Sequence, residues 1–397
     1  MSVKIAVLGH GVVGSGVAEL FYKNKKSIEK HSGCEMDIKY ILDLRDFPDA
    51  PYCDKFTKNF DDILNDDEIT VVAECMGGVE PAFTFVKACL DKGKSVATSN
   101  KELVAAKGDI LLASAREHSC NFFFEASVGG AIPIIRPLHR CLAANDIDRT
   151  VGILNGTTNF ILTKMFVDNM PFDEALKLAQ NLGYAEKDPT ADVEGHDACR
   201  KICILSSLIF GRHVYPESVY TKGISDIQLC DVSIADTFGH SMKLVASVKR
   251  LDDGRILPAV MPTLISRDNI MAEVNDVFNA VMVYADGIDK AMFYGRGAGK
   301  LPTASAVLGD VIEAAKHKVT VFSQTWEPSD NNDFVAPIDE YSSKWYFRVL
   351  SSTKLDMEGT YENECGISFV SDTEMTFAEA RSKASELNAL AIYPVIE

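Results

Sequence analysis

The sequence predicts an α/β protein built on a parallel, helix-covered sheet, and three observations predict it. Apolar runs that read as strands alternate with helical patterns over residues 3–125. The first of these runs leads straight into a glycine loop and then a helix. From about Arg136 the pattern changes and a second α/β region begins. Alternation of this kind gives a parallel sheet with helices on both faces. Ligands of such sheets gather at the carboxyl ends of the strands.

Composition narrows the function classes. The chain has 397 residues, 47% apolar and 24% charged, which is enough for two or three domains with a sizeable core. Its net charge of −17 argues against a nucleic-acid partner, and no dense Lys/Arg stripe offsets it. The densest basic cluster, residues 23–30, is interrupted by Glu29 and reads as the solvated end of a helix. No apolar run approaches a membrane span. The opening MSVKIAVLGHG is not a signal peptide, because glycines break the apolar stretch. Ten cysteines occur with no C-x-x-C pair, and Cys199 and Cys203 lack the full ligand set that a zinc site needs. Reduced, mostly buried thiols in a cytoplasmic protein are expected.

Residues 3–8 are nearly all apolar, as a strand buried on both faces should be. Gly9-His10-Gly11-Val12-Val13-Gly14 follows, then a helical pattern through Val17, Ala18, Leu20 and Phe21. Strand, GxGxxG and helix in this order are the setting of a Rossmann-like dinucleotide site. Gly9 permits the tight turn, Gly11 lets main-chain N–H groups approach a pyrophosphate, and Gly14 lets helix pack on strand. The helix N-terminus then faces the anion. The same six residues also occur as plain turns, so the weight of this loop comes from its setting.

The next strand, residues 37–42, ends at Asp43. An acid there binds a ribose 2′-hydroxyl and favours NAD. Arg45 follows closely and suits the 2′-phosphate of NADP. Both cofactors stay open, with Asp43 tilting the balance toward NAD. Residues 70–74 form a strand entering Cys75-Met76-Gly77-Gly78 and then a helix through Leu90. Residues 95–98 form another, ending in Ser99-Asn100-Lys101, and residues 121–125 a third, ending in Ala126-Ser127-Val128-Gly129-Gly130. Met76, Gly77, Ser99 and Lys101 therefore sit where a cofactor is expected. A lone lysine that opens a helix is ordinarily solvated.

In the middle region, residues 151–154 read as a strand ending in Asn155-Gly156-Thr157-Thr158-Asn159, which leads into a helix. Residues 172–181 form a helix with Phe172, Ala175, Leu176 and Ala179 on one face, and Gly183 suits its end. "LGYAEKDPTADVEGHDACRK" comes next and runs into a helix over residues 197–210. Asp197 and Lys201 are i,i+4 there and can meet. A surface ion pair worth a few tenths of a kcal/mol is the bland reading. Against it stand Glu186, Asp188, Asp192 and Glu194 just upstream, enough carboxylates to hold an amino acid's ammonium while the lysine handles a proton. A last glycine loop, "YGRGAGKLPT", opens a helix over residues 305–315.

These segments together closely resemble homoserine dehydrogenase. The resemblance is collinear from Val3 to about Ala315 and rests on "GHGVVG", "SNKEL", "FEASVGGAIPIIRPL", "GILNGTTNFILTKM", the twenty-residue stretch above, "PTLI", "VFNAV" and "MFYGRGAGKLPTASAV". It implies NAD(P)H-dependent interconversion of L-aspartate 4-semialdehyde and L-homoserine, within threonine, methionine and isoleucine biosynthesis. By position, Glu186 and Asp197 would contact the amino acid, with Asp192, Tyr184 and Thr157 beside them. Lys201 would be the acid/base, and Lys101 matches the family's other active-site lysine. Gly183 and Gly299 match residues near the cofactor. Glu125, with main-chain oxygens of Val128, Gly130 and Ile132, matches a site for a monovalent cation, sodium or potassium. Which lysine gives the proton stays open. Lys201 is favoured because Asp197, one turn away, would hold its ammonium. Two departures stand out. Ala131 replaces a usual glycine, at a cost if the backbone there needs a positive φ. "DLRD" also replaces the usual basic residue after the second strand.

The expected architecture is a dinucleotide-binding domain over residues 1–135, rejoined by 305–320. An α/β substrate and dimerisation domain would span 136–304, with a linker at 325–343 and a short ACT-like appendage at 344–397. A homodimer or homotetramer is implied. A dehydrogenase of another amino-acid semialdehyde and a catalytically dead NAD(P) sensor are the competing readings; the presence of Lys101, Asp197 and Lys201 argues against the sensor. In the tail, "SSTKLDMEGTYENE" is too short for the helix and second strand of an ACT fold, so its ligand loop is expected to be missing. The apolar face so exposed is expected to be buried by a partner subunit. Threonine titration of the purified protein should accordingly show weak or no inhibition; saturable inhibition at sub-millimolar threonine would refute this.

Overall fold

The computed structural model describes residues 2–317, 326–329, 332–353 and 359–397. Contacts divide the chain into two compact units. One comprises Met1–Ala144, Cys203–Pro216 and Arg296–Asn331, the other Asn145–Ile202, Glu217–Gly295 and Asn332–Glu397.

The first unit holds β1 (Ser2–Leu8), β2 (Glu35–Leu42), β3 (Phe56–Thr57), β4 (Ile69–Glu74), β5 (Ser95–Thr98) and β6 (Phe122–Phe123). They form one parallel sheet in the order β3-β2-β1-β4-β5-β6. Its core is built from Val3, Ile5 and Val7 of β1 packed with helix Val12–Lys23, with Val17 and Phe21 buried beside Val307 and Val311 of helix Lys300–Lys316. Two expectations need correction. The strand expected over 121–125 shrinks to Phe122–Phe123, because the Glu125 N–H donates to the Asp310 carboxylate at 2.9 Å instead of to a ladder. The helix expected over 305–315 begins at Lys300. Pro302 falls in its first turn, where a missing N–H breaks no helical bond. Residues 318–320 lie outside the described residues.

The second unit holds β7 (Ile147–Ile153), β8 (Tyr220–Thr221), β9 (His240–Arg250), β10 (Ile256–Ser266), β11 (Phe278–Ala285), β12 (Asp289–Arg296), β13 (Ser342–Val349), β14 (Tyr361–Asn363), β15 (Gly366–Val370), β16 (Met375–Thr376) and β17 (Ala391–Ile396). The main sheet runs β12-β11-β7-β9-β10-β17-β13-β15-β14, with β8 beside β10 and β16 beside β13. The tail is thus continuous with this sheet, since β17 pairs in parallel with β10 through Leu264–Val395 and Ile265–Ile396.

Alternation along β13 sorts the tail's two faces. Trp345, Phe347 and Val349 pack with Phe369 and with Phe377 and Ala380 of helix Phe377–Glu386. Tyr346 and Arg348 point the other way, toward helix Leu229–Thr237. There the fully buried Asp231 accepts bonds from the Tyr346 hydroxyl at 3.1 Å and from Arg348 Nε and Nη2 at 2.6 and 3.1 Å. The apolar face expected to need a partner subunit is therefore covered by helix Phe377–Glu386, and the other face by helix Leu229–Thr237. A short second strand, β14, also exists where the spacing left no room for one. The stretch expected to lack the ligand loop includes residues 354–358, which lie outside the described residues.

The stretch 325–343, expected as a linker, is packed where it is described. Trp326 is buried and its indole donates to His213 Nδ1 at 2.8 Å, while Phe334 and Ala336 bracket the main chain of Ile256. Thr325 and residues 330–331 lie outside the described residues. All ten cysteines are free thiols, and among the described residues no helix is long and apolar enough to cross a membrane.

Asp231→Ala leaves the Arg348 guanidinium buried without a counter-charge. It should lower unfolding free energy in urea by about 3–5 kcal/mol, the usual consequence of orphaning one half of a buried pair. A loss under about 1 kcal/mol, the level of an exposed pair, would show that α-helix and tail do not depend on this contact.

Candidate active site

The first glycine loop leaves β1 at Leu8 and turns into helix Val12–Lys23. A Cβ on Gly14 would lie 1.9 Å from the Gly9 carbonyl oxygen, so only glycine allows the helix to start this close to the strand. Val12 is exposed at the loop's outer face, with Gly11 beside it as the helix's N-cap. The loop is pinned from β2. Asp43 Oδ2 accepts the His10 N–H at 2.8 Å, and the same carboxylate takes the Arg45 main-chain N–H, Nε and Nη2 at 2.9–3.0 Å. The Arg45 guanidinium holds the Asp43 carboxyl far below the usual carboxylate range, with the two main-chain donors adding to it. His10 turns its ring inward, against Tyr52, Phe47 and Phe56, and burial holds its pKa below the usual histidine value. Its part in the loop is thus played by its main chain.

Beside this loop lies a cavity of about 450 Å³, lined by Gly9, Asp43, Arg45, Met76, Pro81 and Phe85 among others. Apolar walls around an acid and an arginine suit an adenosine moiety. Met76 and Gly77 follow β4, and Ser99 follows β5, so these residues gather at the carboxyl end of the sheet as expected. Lys101 opens helix Lys101–Glu117, behind an Asn100 cap that accepts the Leu103 N–H at 3.1 Å. Gly299 caps helix Lys300–Lys316.

In the second unit two acids of this stretch, Asp192 and Asp197, meet around a residue that the sequence did not single out. Asn155 ends the β7 segment and caps helix Gly156–Val167, its Oδ1 accepting the Thr158 N–H at 2.8 Å. Its Nδ2 donates to Asp192 Oδ1 at 2.7 Å and to Asp197 Oδ2 at 2.9 Å. Lys201 Nζ donates to Asp197 Oδ2 and to the Leu154 carbonyl, both at 2.7 Å. Asp197 and Lys201 are only 4% and 6% exposed, so the surface-pair reading fails. The signal that pointed to Asn155 was its place as an asparagine directly before a helix; nothing in the sequence said that its other amide atom would join two acids.

Thr157 donates its hydroxyl to the Tyr184 carbonyl at 2.7 Å, which ties loop 182–188 to the start of the same helix. Gly183, with φ 75°, closes helix Phe172–Asn181: its N–H reaches Gln180 O and the Tyr184 N–H reaches Ala179 O. Glu186 lies on the exposed part of this loop and makes no ion pair with the buried group. Its carbonyl accepts from Gln180 Nε2 at 3.1 Å.

At the expected cation site the Glu125 carboxylate is already engaged. Glu125 Oε1 accepts the N–H groups of Ile134 and Ile135 at 2.6 and 2.8 Å. Its Oε2 accepts that of Arg136 at 2.8 Å and faces the Arg136 guanidinium at 3.5 Å. Three main-chain donors and a guanidinium therefore surround this carboxylate. Among the described residues no group of three or more His, Cys, Asp or Glu could hold a metal ion. The left-handed position in this turn is Gly130, with φ 58°; Ala131 is not in that region and carries no strain. Asp310 completes the cluster, accepting from Arg136 Nη2 at 2.6 Å, and burial raises its carboxyl to about 7.

Comparison with known proteins fits this geometry. The NAD-binding domain of homoserine dehydrogenase matches residues 9–125, and the homoserine dehydrogenase catalytic domain matches residues 133–312. The homoserine dehydrogenase of Bacillus subtilis is 39% identical over 350 residues, covering 87% of this chain and 80% of that protein. This chain belongs to the homoserine dehydrogenase family. It is an NAD(P)-dependent oxidoreductase that interconverts L-aspartate 4-semialdehyde and L-homoserine. A homoserine dehydrogenase from Thiobacillus denitrificans superposes with a TM-score of 0.87 at 32% identity, covering 100% of this chain and 99% of that one. A hyperthermophilic archaeal homoserine dehydrogenase mutant in complex with NADPH has a TM-score of 0.67 at 28% identity and covers 79% of this chain and 98% of that one.

Asp43→Ala removes the expected ribose acceptor and releases Arg45 at once. The ratio of kcat/KM for NAD+ to that for NADP+ should fall at least about fivefold, the scale of one hydrogen bond to a charged group. An unchanged ratio would place the carboxylate away from the ribose.

Proposed function

We propose that Lys201 is the proton donor of semialdehyde reduction in this chain. The nicotinamide, when bound, supplies the hydride. Lys201 then gives a proton to the developing alkoxide, and takes it back in homoserine oxidation. The observation that carries this reading is the buried Lys201–Asp197 pair, fixed on one side by Asn155 and on the other by the Leu154 carbonyl. An ammonium held this way is preorganised, so little reorientation is needed when negative charge develops. Asp197, Asp192, Glu186, Tyr184 and Thr157 are assigned to the substrate's amino-acid end. Asp192 and Asp197 supply negative charge for its ammonium, while exposed Glu186 reaches it through the loop that Thr157 anchors. Lys101 is assigned to orienting and polarising the substrate, with the reverse division between the two lysines as the alternative.

The glycine loop, Asp43, Arg45, Met76, Gly77, Ser99, Gly183 and Gly299 are assigned to the cofactor, with NAD preferred because Arg45 is already engaged by Asp43. A monovalent cation, if the chain holds one, rests on the main-chain oxygens of Glu125, Val128, Gly130 and Ile132. Neutral oxygens suit a single charge, and no carboxylate is left there to balance a second. Assembly as a homodimer or homotetramer in the cytoplasm, with no nucleic-acid partner, completes the reading. The assembly is argued from the family and the rest from net charge and composition.

Lys201→Ala should lower kcat by at least about 10²-fold, the range for a lost general acid and oxyanion partner. Cofactor binding and the circular dichroism spectrum should stay near wild type. A folded variant with wild-type kcat would move the proton to another group.

A further inference from the structure

A buried carboxylate in the first unit has no part in the mechanism above. Glu74 is the last residue of β4 and is fully buried. It sits level with Leu8 on β1 and Thr98 on β5. Its Oε1 accepts the Met76 N–H at 2.7 Å, and its Oε2 is hydrogen-bonded to the Thr98 hydroxyl. Thr98 Oγ in turn accepts the Asn100 N–H at 2.9 Å. Asn100 Nδ2 donates to the Gly78 carbonyl at 2.7 Å, and its Oδ1 caps the helix that Lys101 opens. One side chain therefore ties together two turns, Cys75–Gly78 and Ser99–Lys101, at the end of the sheet where the glycine loop also lies. Filling this space with an apolar side chain would avoid the cost of burying a carboxylate. Its retention needs a reason beyond packing.

We propose that Glu74 is a positioning residue for the cofactor, whose negative charge holds the Met76–Gly77 turn and the Asn100–Lys101 turn in their binding conformation. This rests on the assignment of those turns to the cofactor. The charge matters because a hydrogen bond to a carboxylate is roughly twice as strong as one to a neutral acid. Protonation would convert the Met76 bond to the weaker kind and reverse the bond with Thr98.

Burial raises the Glu74 carboxyl to about 7, against the pull of Thr98, Met76 and Asn100. The titratable group beside it is Cys75, whose thiol burial pushes well above its usual value, with the Glu74 charge adding to the rise. At this level β1 presents Leu8 and β5 presents Thr98, and neither titrates. The carboxylate form, present above pH about 7, is the one that holds the turns. It is lost as pH falls below that value.

The test is a fluorescence titration of the full chain with NADH from pH 6 to 9, in wild type, Glu74→Gln and Glu74→Asp. NADH is chosen because it lacks the 2′-phosphate of NADPH, which titrates in this range. Wild-type Kd should rise about fivefold between pH 8.5 and 6, with a midpoint near 7. Glu74→Gln, isosteric and uncharged, should show the weak Kd at every pH. Glu74→Asp should restore a pH dependence. A flat wild-type curve overturns the proposal without any variant being made. A midpoint that survives in Glu74→Gln also overturns it and assigns the titration to another group. Because the assay reads NADH binding alone, loss of the Lys201 assignment would leave it interpretable.

Discussion

A lysine ammonium sealed from water has to be matched by acceptors that are themselves held still, and Lys201 imposes that demand on the second unit. An unmatched buried charge costs several kcal/mol. The helix His196–Phe210 must therefore present Asp197 one turn before Lys201, and the end of β7 must offer the Leu154 carbonyl. Asn155 then becomes obligatory, because Asp197 and Asp192 lie close enough to repel unless a donor stands between them. The same asparagine caps the following helix. Buried charge, helix start and strand end are fixed by one set of bonds.

Elsewhere the protein uses buried carboxylates as junctions. Glu125 collects three consecutive main-chain N–H groups, Asp310 joins the long helix Lys300–Lys316 to Arg136, and Asp231 binds a tyrosine and an arginine of the tail. Asp310 and Asp231 sit where segments far apart in sequence meet, and Glu125 closes a turn whose N–H groups have no ladder to join. Such junctions specify one arrangement more sharply than apolar packing, because a shift of an ångström breaks several bonds together.

What the sequence made legible follows from the range of the forces involved. Periodicity and glycine spacing are local, so β1, the glycine loop and helix Phe172–Asn181 were readable to within a residue. Asp197 and Lys201 were paired correctly because i,i+4 is also local. Their burial was not readable, since it depends on β7 and its asparagine some forty positions away. The bonds of Glu125 were not readable for the same reason: its partners are main-chain N–H groups, which carry no residue signature. The tail was misjudged because alternation in β13 showed two faces but not that Asp231, over a hundred residues earlier, would cover the polar one.

The pairing of β17 with β10 has a consequence for the order of events during synthesis. Residues 391–396 occupy an interior place in the second sheet, between β10 and β13. The sheet therefore stays open, with an unpaired strand edge exposed, until nearly 400 residues have left the ribosome. Contacts this distant in sequence form slowly. β10 carries no charged side chain along its length, so until β17 arrives its open edge has only main-chain groups and apolar or small side chains to present.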